Sequence, residues 1–167
     1  VDACREMGEQ KVGALIILKQ SNDLGIVEES GIAIDAKVPT ALIENIFFKN
    51  APLHDGAVVI DNNRIVAAKC ILPVTQSNVP KSYGTRHRAA IGLSEMTDAV
   101  VLVVSEETGA ISIVKGGKIK SKIDPQKLNT LLKQALNEQD ENKNTEVGLA
   151  DIVKVLVSKK VLIITIV

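Results

Sequence analysis

Short apolar runs separated by polar turns set the rhythm of this chain. Val12 to Leu18 (VGALIIL) is a brief apolar stretch bounded by polar positions, the pattern of a buried strand. Gly31 to Ala36 alternates in strand fashion. Pro39 suits the first turn of a helix on which Leu42, Ile43, Ile46 and Phe47 share one apolar face. Gly56 to Ile60 and Arg64 to Leu72 read as two strands joined by a tight turn at Asp61, Asn62 and Asn63. A polar loop with Pro73 and Pro80 leads to a predicted helix over Arg86 to Met96, and Ala99 to Ser105 (AVVLVVS) is a further buried strand. Gly109, Gly116 and Gly117 punctuate more strands. Asp124-Pro125 predicts a helix start, with Leu128, Leu131, Leu132, Ala135 and Leu136 as its buried stripe. Asn137 to Glu146 (NEQDENKNTE) reads as a solvated stretch, followed by a short helix through Leu149, Ile152, Val153 and Leu156 and a strand over Val161 to Val167. Strands interleaved with helices and hairpins predict an α/β fold, a mixed β-sheet flanked by helices. The expected organisation is a single domain over residues 1–137, a polar linker over 138–146 and an extension of no assigned role over 147–167.

Composition narrows the function classes. A length of 167 residues suits one domain with its own core. Twenty basic and twenty acidic side chains cancel, so no overall pull toward nucleic acid or an anionic membrane is expected. The aromatics are Phe47, Phe48 and Tyr83, too few for a base-stacking platform. Cys4 and Cys70 stand far apart without metal-ligand spacing, which predicts reduced structural thiols in a cytosolic protein. No signal peptide is expected from the residues given, and none of their apolar stretches reaches the roughly 18 residues needed to span a bilayer.

Three segments carry candidate chemistry. In Pro52-Leu53-His54-Asp55-Gly56-Ala57 an Asp-Gly step feeds a strand. Asp55 there is placed to bind a divalent metal or take a hydroxyl proton, with Gly56 and Ala57 leaving the backbone open to a ligand. A plain Asp-Gly turn is the competing account. In Gly84-Thr85-Arg86-His87-Arg88, two guanidinium forks, an imidazole and a hydroxyl meet the free N–H groups of a helix start, a polyanion site. A merely solvated basic helix start is the alternative, but cations at a helix N-terminus oppose the macrodipole and need a reason. Ser105-Glu106-Glu107-Thr108-Gly109 follows a buried strand, where a carboxylate either holds metal or faces water in an acidic turn. His54 and His87 are the chain's two histidines, and both fall within these segments.

Together these segments resemble the diadenylate cyclase family. Asp55-Gly56-Ala57 is similar to its DGA motif and Arg86-His87-Arg88 to its RHR motif, within GTRHRAAIGLSE. The likeness extends through VGALIIL, PLHDGAVVI, CILP and VSEETGAIS, over about residues 1–136, and leaves the chain after about Gln139 without a counterpart. The resemblance implies an enzyme that condenses two ATP into cyclic di-AMP and two pyrophosphates, with a divalent metal (Mn²⁺ or Mg²⁺) and a catalytic homodimer. Asp55 would assist the attacking ribose 3′-hydroxyl and help hold the metal, with His54 as a second metal contact. Thr85, Arg86, His87 and Arg88 would cradle the triphosphate, with Ser105 and Glu107 lining the same pocket beside Gly56 and Ala57. Leu72 would sit against adenine. Ile71 stands where some relatives carry an aromatic, which implies weaker base stacking. The subclass it resembles most is the membrane-anchored one. The expectation is therefore a cytoplasmic domain, attached to a membrane only through a segment outside this chain. Phosphodiester formation needs positioning and electrostatic stabilisation above all, which a carboxylate, a divalent ion and an arginine pair meet. A nucleotide sensor without turnover and a phosphate-binding interaction module remain as other readings.

Overall fold

The computed structural model describes residues 1–138; the expected helix and strand over 149–167 lie outside the described residues. Val1–Leu132 forms one compact unit, and a second begins at Lys133. In chain order the first unit contains α1 (Asp2–Gln10), β1 (Ala14–Leu18), α2 (Gly25–Ser30), β2 (Ile32–Lys37), α3 (Thr40–Phe47), β3 (Ala57–Asp61), β4 (Arg64–Cys70), α4 (Thr85–Met96), β5 (Val100–Val104), β6 (Ile111–Lys115) and β7 (Lys118–Ile123). The strands make one mixed sheet in the order β2-β4-β3-β1-β5-β6-β7. Neighbours β1 and β3 pair in parallel, with Ile16 opposite Val58; the other neighbours in this sheet are antiparallel.

The apolar run of β1 and the all-valine-and-leucine β5 lie at the sheet centre because they are apolar on both faces. Leu15, Ile17, Val59, Val101 and Val103 point to one face, where α4 contributes Ala89, Ala90, Ile91 and Leu93. The alternate residues Ile16, Ile60 and Leu102 face the opposite side, beside Cys4 of α1 and Ile43 of α3. Cys4 and Cys70 are buried free thiols. The outermost strands are charged or irregular: β7 carries Lys118, Lys120 and Lys122, and β2 is bulged at Asp35, whose carboxylate accepts from Arg64 Nε at 2.9 Å. Charge and irregularity of this kind discourage edge-to-edge pairing.

Both tight hairpins take the geometry that their sequences predict. Asn62 and Asn63 have φ of 46° and 59° between the paired Asp61 and Arg64, and Gly116 and Gly117 have φ of 56° and 76° between Lys115 and Lys118. Two helices, α1 and α2, go beyond what the residue pattern predicts. At the other end of the chain the helix start differs. Asp124 does not cap a helix beginning at Pro125; its carboxylate accepts from Gln126 N at 3.0 Å and its carbonyl from Lys127 N at 2.9 Å. This closes a turn, and helical geometry begins at Leu128. Leu128 and Leu132 are buried as expected, while Leu131 is half-buried.

Candidate active site

The sheet pairing brings four chain ends to one place. Because β3 is parallel to β1, both begin at the same end of the sheet; because β4 and β5 are antiparallel to them, both finish there. The start of α4 completes a cleft of about 670 Å³, within the usual range for a site that holds one small molecule. His54, Asp55 and Gly56 line it from the entry to β3, Thr85 and Arg86 from α4, Leu72 from beyond β4, and Ser105 and Glu107 from beyond β5. Ala57, His87 and Arg88 are not among the lining residues. Thus the three segments singled out in the sequence meet in one cavity, although they lie far apart along the chain.

On the acidic side, the Asp55 side chain is 79 % exposed. Gly56, at φ 90°, adopts a conformation that L side chains avoid, and a Cβ there would meet the Cys70 carbonyl oxygen at 2.7 Å. Opposite it, Lys69 at φ 57° makes a bulge in β4, where the register slips between the Ala57 and Val59 pairs. Glycine and bulge together set Asp55 at the rim. His54 Nδ1 lies 2.8 Å from the Ala51 carbonyl oxygen, which can only accept, so Nδ1 carries the proton. Nε2 then faces Asp55 Oδ1 at 3.3 Å. A histidine fixed through Nδ1–H to a carbonyl presents its Nε2 lone pair outward, as metal-ligating histidines do. The pair therefore fits a divalent ion as two ligands of a set. Among the described residues no group of three or more His, Cys, Asp or Glu side chains converges on one point. The remaining ligands would be water and substrate oxygens, the usual condition for Mg²⁺ at a phosphate site.

On the basic side, Gly84 precedes α4 and no side chain caps the helix, so its first N–H groups have no side-chain acceptor, and Gly84, Thr85 and Arg86 line the cleft at the positive end of the macrodipole. Arg86 Nη1 lies 3.4 Å from Glu106 Oε2, with Arg86 partly buried and Glu106 64 % exposed. The His87 ring stacks on Tyr83 at 5.3 Å between centroids and 14° between planes. Arg88 Nε donates to the Tyr83 carbonyl at 3.1 Å, and the Arg88 carbonyl accepts from Thr75 N at 3.1 Å, which ties the preceding loop to α4. Ser105 Oγ accepts from the N–H groups of Glu107 and Thr108, both at 3.3 Å, holding the acidic turn in shape.

Glu106 is the cleft residue that sequence reasoning leaves unassigned beside Glu107. Its signal is present in SEETG, but two adjacent carboxylates in a turn do not reveal which one meets the arginine. Leu15, Ala89 and Val104 also line the cleft, and nothing distinguishes them in sequence from ordinary core positions. Ile71 is 72 % exposed at the cleft mouth and Leu72 is buried against its floor. Cys70 lies on that floor as well; burial, aided by Glu28, pushes its thiol up to about 11, so it is protonated and unreactive near neutral pH.

Burial, with the nearby Arg86 charge, lowers the pKa of His87 below its ordinary 6.5, against an opposing effect of Glu107. Between the lowered folded value and the ordinary unfolded one, the unfolded chain binds more protons, so stability rises with pH in that window. The contribution is complete above about pH 6.5 and is lost as pH falls toward the folded value. Replacing His87 by Phe keeps a ring against Tyr83 and removes the titration. Denaturant midpoints measured from pH 7.5 down to 5 should fall less steeply in His87→Phe; an identical slope refutes the assignment.

The chain belongs to the DAC family, whose model, described as DisA bacterial checkpoint controller nucleotide-binding, matches residues 1–119. It is 44 % identical over 131 residues to the cyclic di-AMP synthase CdaA of Bacillus subtilis, covering 78 % of this chain and 48 % of that protein. It is also 44 % identical over 123 residues to the cyclic di-AMP synthase CdaS of the same organism, covering 74 % of this chain and 59 % of that one. The chain thus spans about half the length of the curated relatives it matches. Among solved structures, a double mutant of DacA from Staphylococcus aureus is 40 % identical with a TM-score of 0.78, over 81 % of this chain and 91 % of that one. A hypothetical membrane spanning protein from Bacillus cereus is 44 % identical with a TM-score of 0.71, over 74 % of this chain and 61 % of that one. The mixed sheet with flanking helices is the fold that the DacA match shares. Among the described residues no helix is long and apolar enough to cross a membrane.

Proposed function

We propose that this chain is the catalytic domain of a diadenylate cyclase, which joins two ATP molecules into cyclic di-AMP and releases two pyrophosphates. The observation that carries this reading is the meeting, in one cleft, of the His54–Asp55 pair with Arg86 and the uncapped start of α4. The names of the relatives, cyclic di-AMP synthases and diadenylate cyclases, support it.

In this scheme Arg86, Thr85 and the first N–H groups of α4 hold the triphosphate, while Arg88 and His87 shape the same helix start from behind. Leu72, with Leu15 and Ile71, bounds the adenine, and Gly56, Ser105 and Glu107 leave room for the sugar and phosphates. Asp55 accepts the proton of the ribose 3′-hydroxyl as its oxygen attacks the α-phosphate of the ATP held by a facing subunit. The O3′–phosphorus bond forms, the bond from the α-phosphorus to the bridging oxygen breaks, and pyrophosphate departs with the electron pair. The same step in the opposite sense closes the ring. A divalent ion, Mn²⁺ or Mg²⁺, held by His54 Nε2 and Asp55 Oδ1, would supply Lewis-acid stabilisation of phosphate charge. Because the product is two-fold symmetric, a homodimer with facing clefts provides both half-reactions from one kind of site. We assign the domain to residues 1–137 and, given ATP as substrate, to the cytoplasm, with any membrane attachment through a segment outside this chain.

Incubation with ATP and Mn²⁺ or Mg²⁺, followed by chromatography, should show cyclic di-AMP and pyrophosphate. Excess chelator should stop their formation. ATP that binds yet returns unchanged with every metal tried would overturn the proposal in favour of a nucleotide sensor, and product formed with metal verified absent would remove the role given to His54 and Asp55 as ligands.

A further inference from the structure

The Arg86 guanidinium rests on a residue that has no side chain. Gly13 is buried at the junction between Lys11, the left-handed cap of α1, and Ala14, the first residue of β1. A Cβ at position 13 would lie 2.5 Å from Arg86 Nη1, 2.6 Å from Cζ and 3.1 Å from Nη2. Carbon and nitrogen in ordinary contact stand about 3.5 Å apart or more, so the guanidinium occupies the space that any side chain would claim. All three of the nearest heavy atoms belong to Arg86. Gly13 is also absent from the residues with positive φ, so the backbone there makes no demand for glycine. Space for the guanidinium is the remaining reason for its presence.

We propose that Gly13 is a positioning residue for the triphosphate side of the cleft, its bare Cα serving as the seat on which the Arg86 fork is held. This rests on the cyclase reading only for the identity of the anion. Two points fix the fork: Gly13 beneath it and Glu106 Oε2 at 3.4 Å from Nη1. An alanine substituted for Gly13 removes the first and, by shifting the fork on the order of 1 Å, disturbs the second. A displacement of that size can cost about 100-fold in rate. The fold tolerates it, because the atoms that move are the end of a flexible side chain. Alanine also restricts the unfolded chain more than glycine does, which favours the folded state.

The test is a double-mutant cycle on the full chain, comparing Gly13→Ala, Arg86→Ala and both together for binding of ATP and of adenosine, with thermal midpoints alongside. Gly13→Ala should weaken ATP binding roughly ten- to hundredfold, leave adenosine binding unchanged and hold or raise the midpoint. The double variant should bind ATP no more weakly than Arg86→Ala alone, because without the guanidinium the added methyl group has nothing to displace. Wild-type ATP affinity in Gly13→Ala, or losses that multiply in the double variant, overturns the inference. The Arg86 Nε–H resonance of the ligand-free protein gives a reading independent of substrate. It should shift in Gly13→Ala, and an unmoved signal overturns the inference. A shifted signal in a protein whose unsubstituted form binds no ATP supports the seat and sinks the cyclase reading instead.

Discussion

Asp55→Asn should bind ATP and form phosphodiester bonds about 10²–10⁴-fold more slowly, the range expected for removal of a general base. The substitution is nearly isosteric, and the side chain is 79 % exposed with His54 Nε2 3.3 Å from its Oδ1, so the fold has little to lose. What disappears is the negative charge that favours both a divalent ion and departure of the hydroxyl proton. A sharper form of the prediction concerns the two subunits. If each Asp55 activates the 3′-hydroxyl of the ATP on its own subunit, a forced one-to-one heterodimer of wild type and Asp55→Asn makes the first bond and stalls before the second. The linear triphosphate dinucleotide then accumulates in place of cyclic product. Heterodimers purified through two different tags, with the nucleotides followed over time, give the answer. Cyclic product at about half the wild-type rate, with no linear species, would show that one aspartate suffices and would refute the two-site scheme.

The parts of the molecule that are legible in sequence are those governed by local rules. β1 and β5 announce themselves because a strand apolar on both faces must be interior, and Asn62-Asn63 and Gly116-Gly117 because left-handed turns demand such residues. Helix α1 escapes because Ala3, Cys4 and Met7 form a narrow buried stripe among charged neighbours. Helix α2 is too short for periodicity, buries none of its residues and leaves Ile26 88 % exposed. Insertion of β1 between β3 and β5 is a non-local choice that no window of residues records. The same division runs through the site. Asp55, Arg86 and the SEETG turn are legible because polar groups at strand and helix ends need a purpose. Leu15, Val104 and Gly13 are not, since a cleft floor and a core look alike in sequence, and a glycine that makes room for an arginine looks like any other glycine.

Arg86→Ala should weaken ATP binding by roughly ten- to hundredfold, the effect of losing charge-assisted hydrogen bonds of about 1.5–3 kcal/mol, while changing the fold's stability little. Two magnitudes decide between a ligand role and a structural one. The Arg86–Glu106 pair is 3.4 Å apart, and its glutamate is 64 % exposed. Pairs with an exposed partner contribute about 0–1 kcal/mol after solvent screening, and removing the arginine strands no buried charge, since water reaches the carboxylate. Against this stands a phosphate chain carrying several negative charges, for which a planar fork at a helix start is well matched. Arg86→Lys separates charge from shape: it keeps the cation but loses the fork. It should recover part of the ATP affinity and less of the turnover, because the developing charge at the α-phosphate must be met in a fixed direction. ATP affinity, turnover and denaturant midpoints measured on the three proteins test this. An Arg86→Ala protein that is unfolded at ordinary temperature, whose surviving folded fraction turns over ATP at the wild-type rate, would make Arg86 a structural residue and move the triphosphate site elsewhere in the cleft.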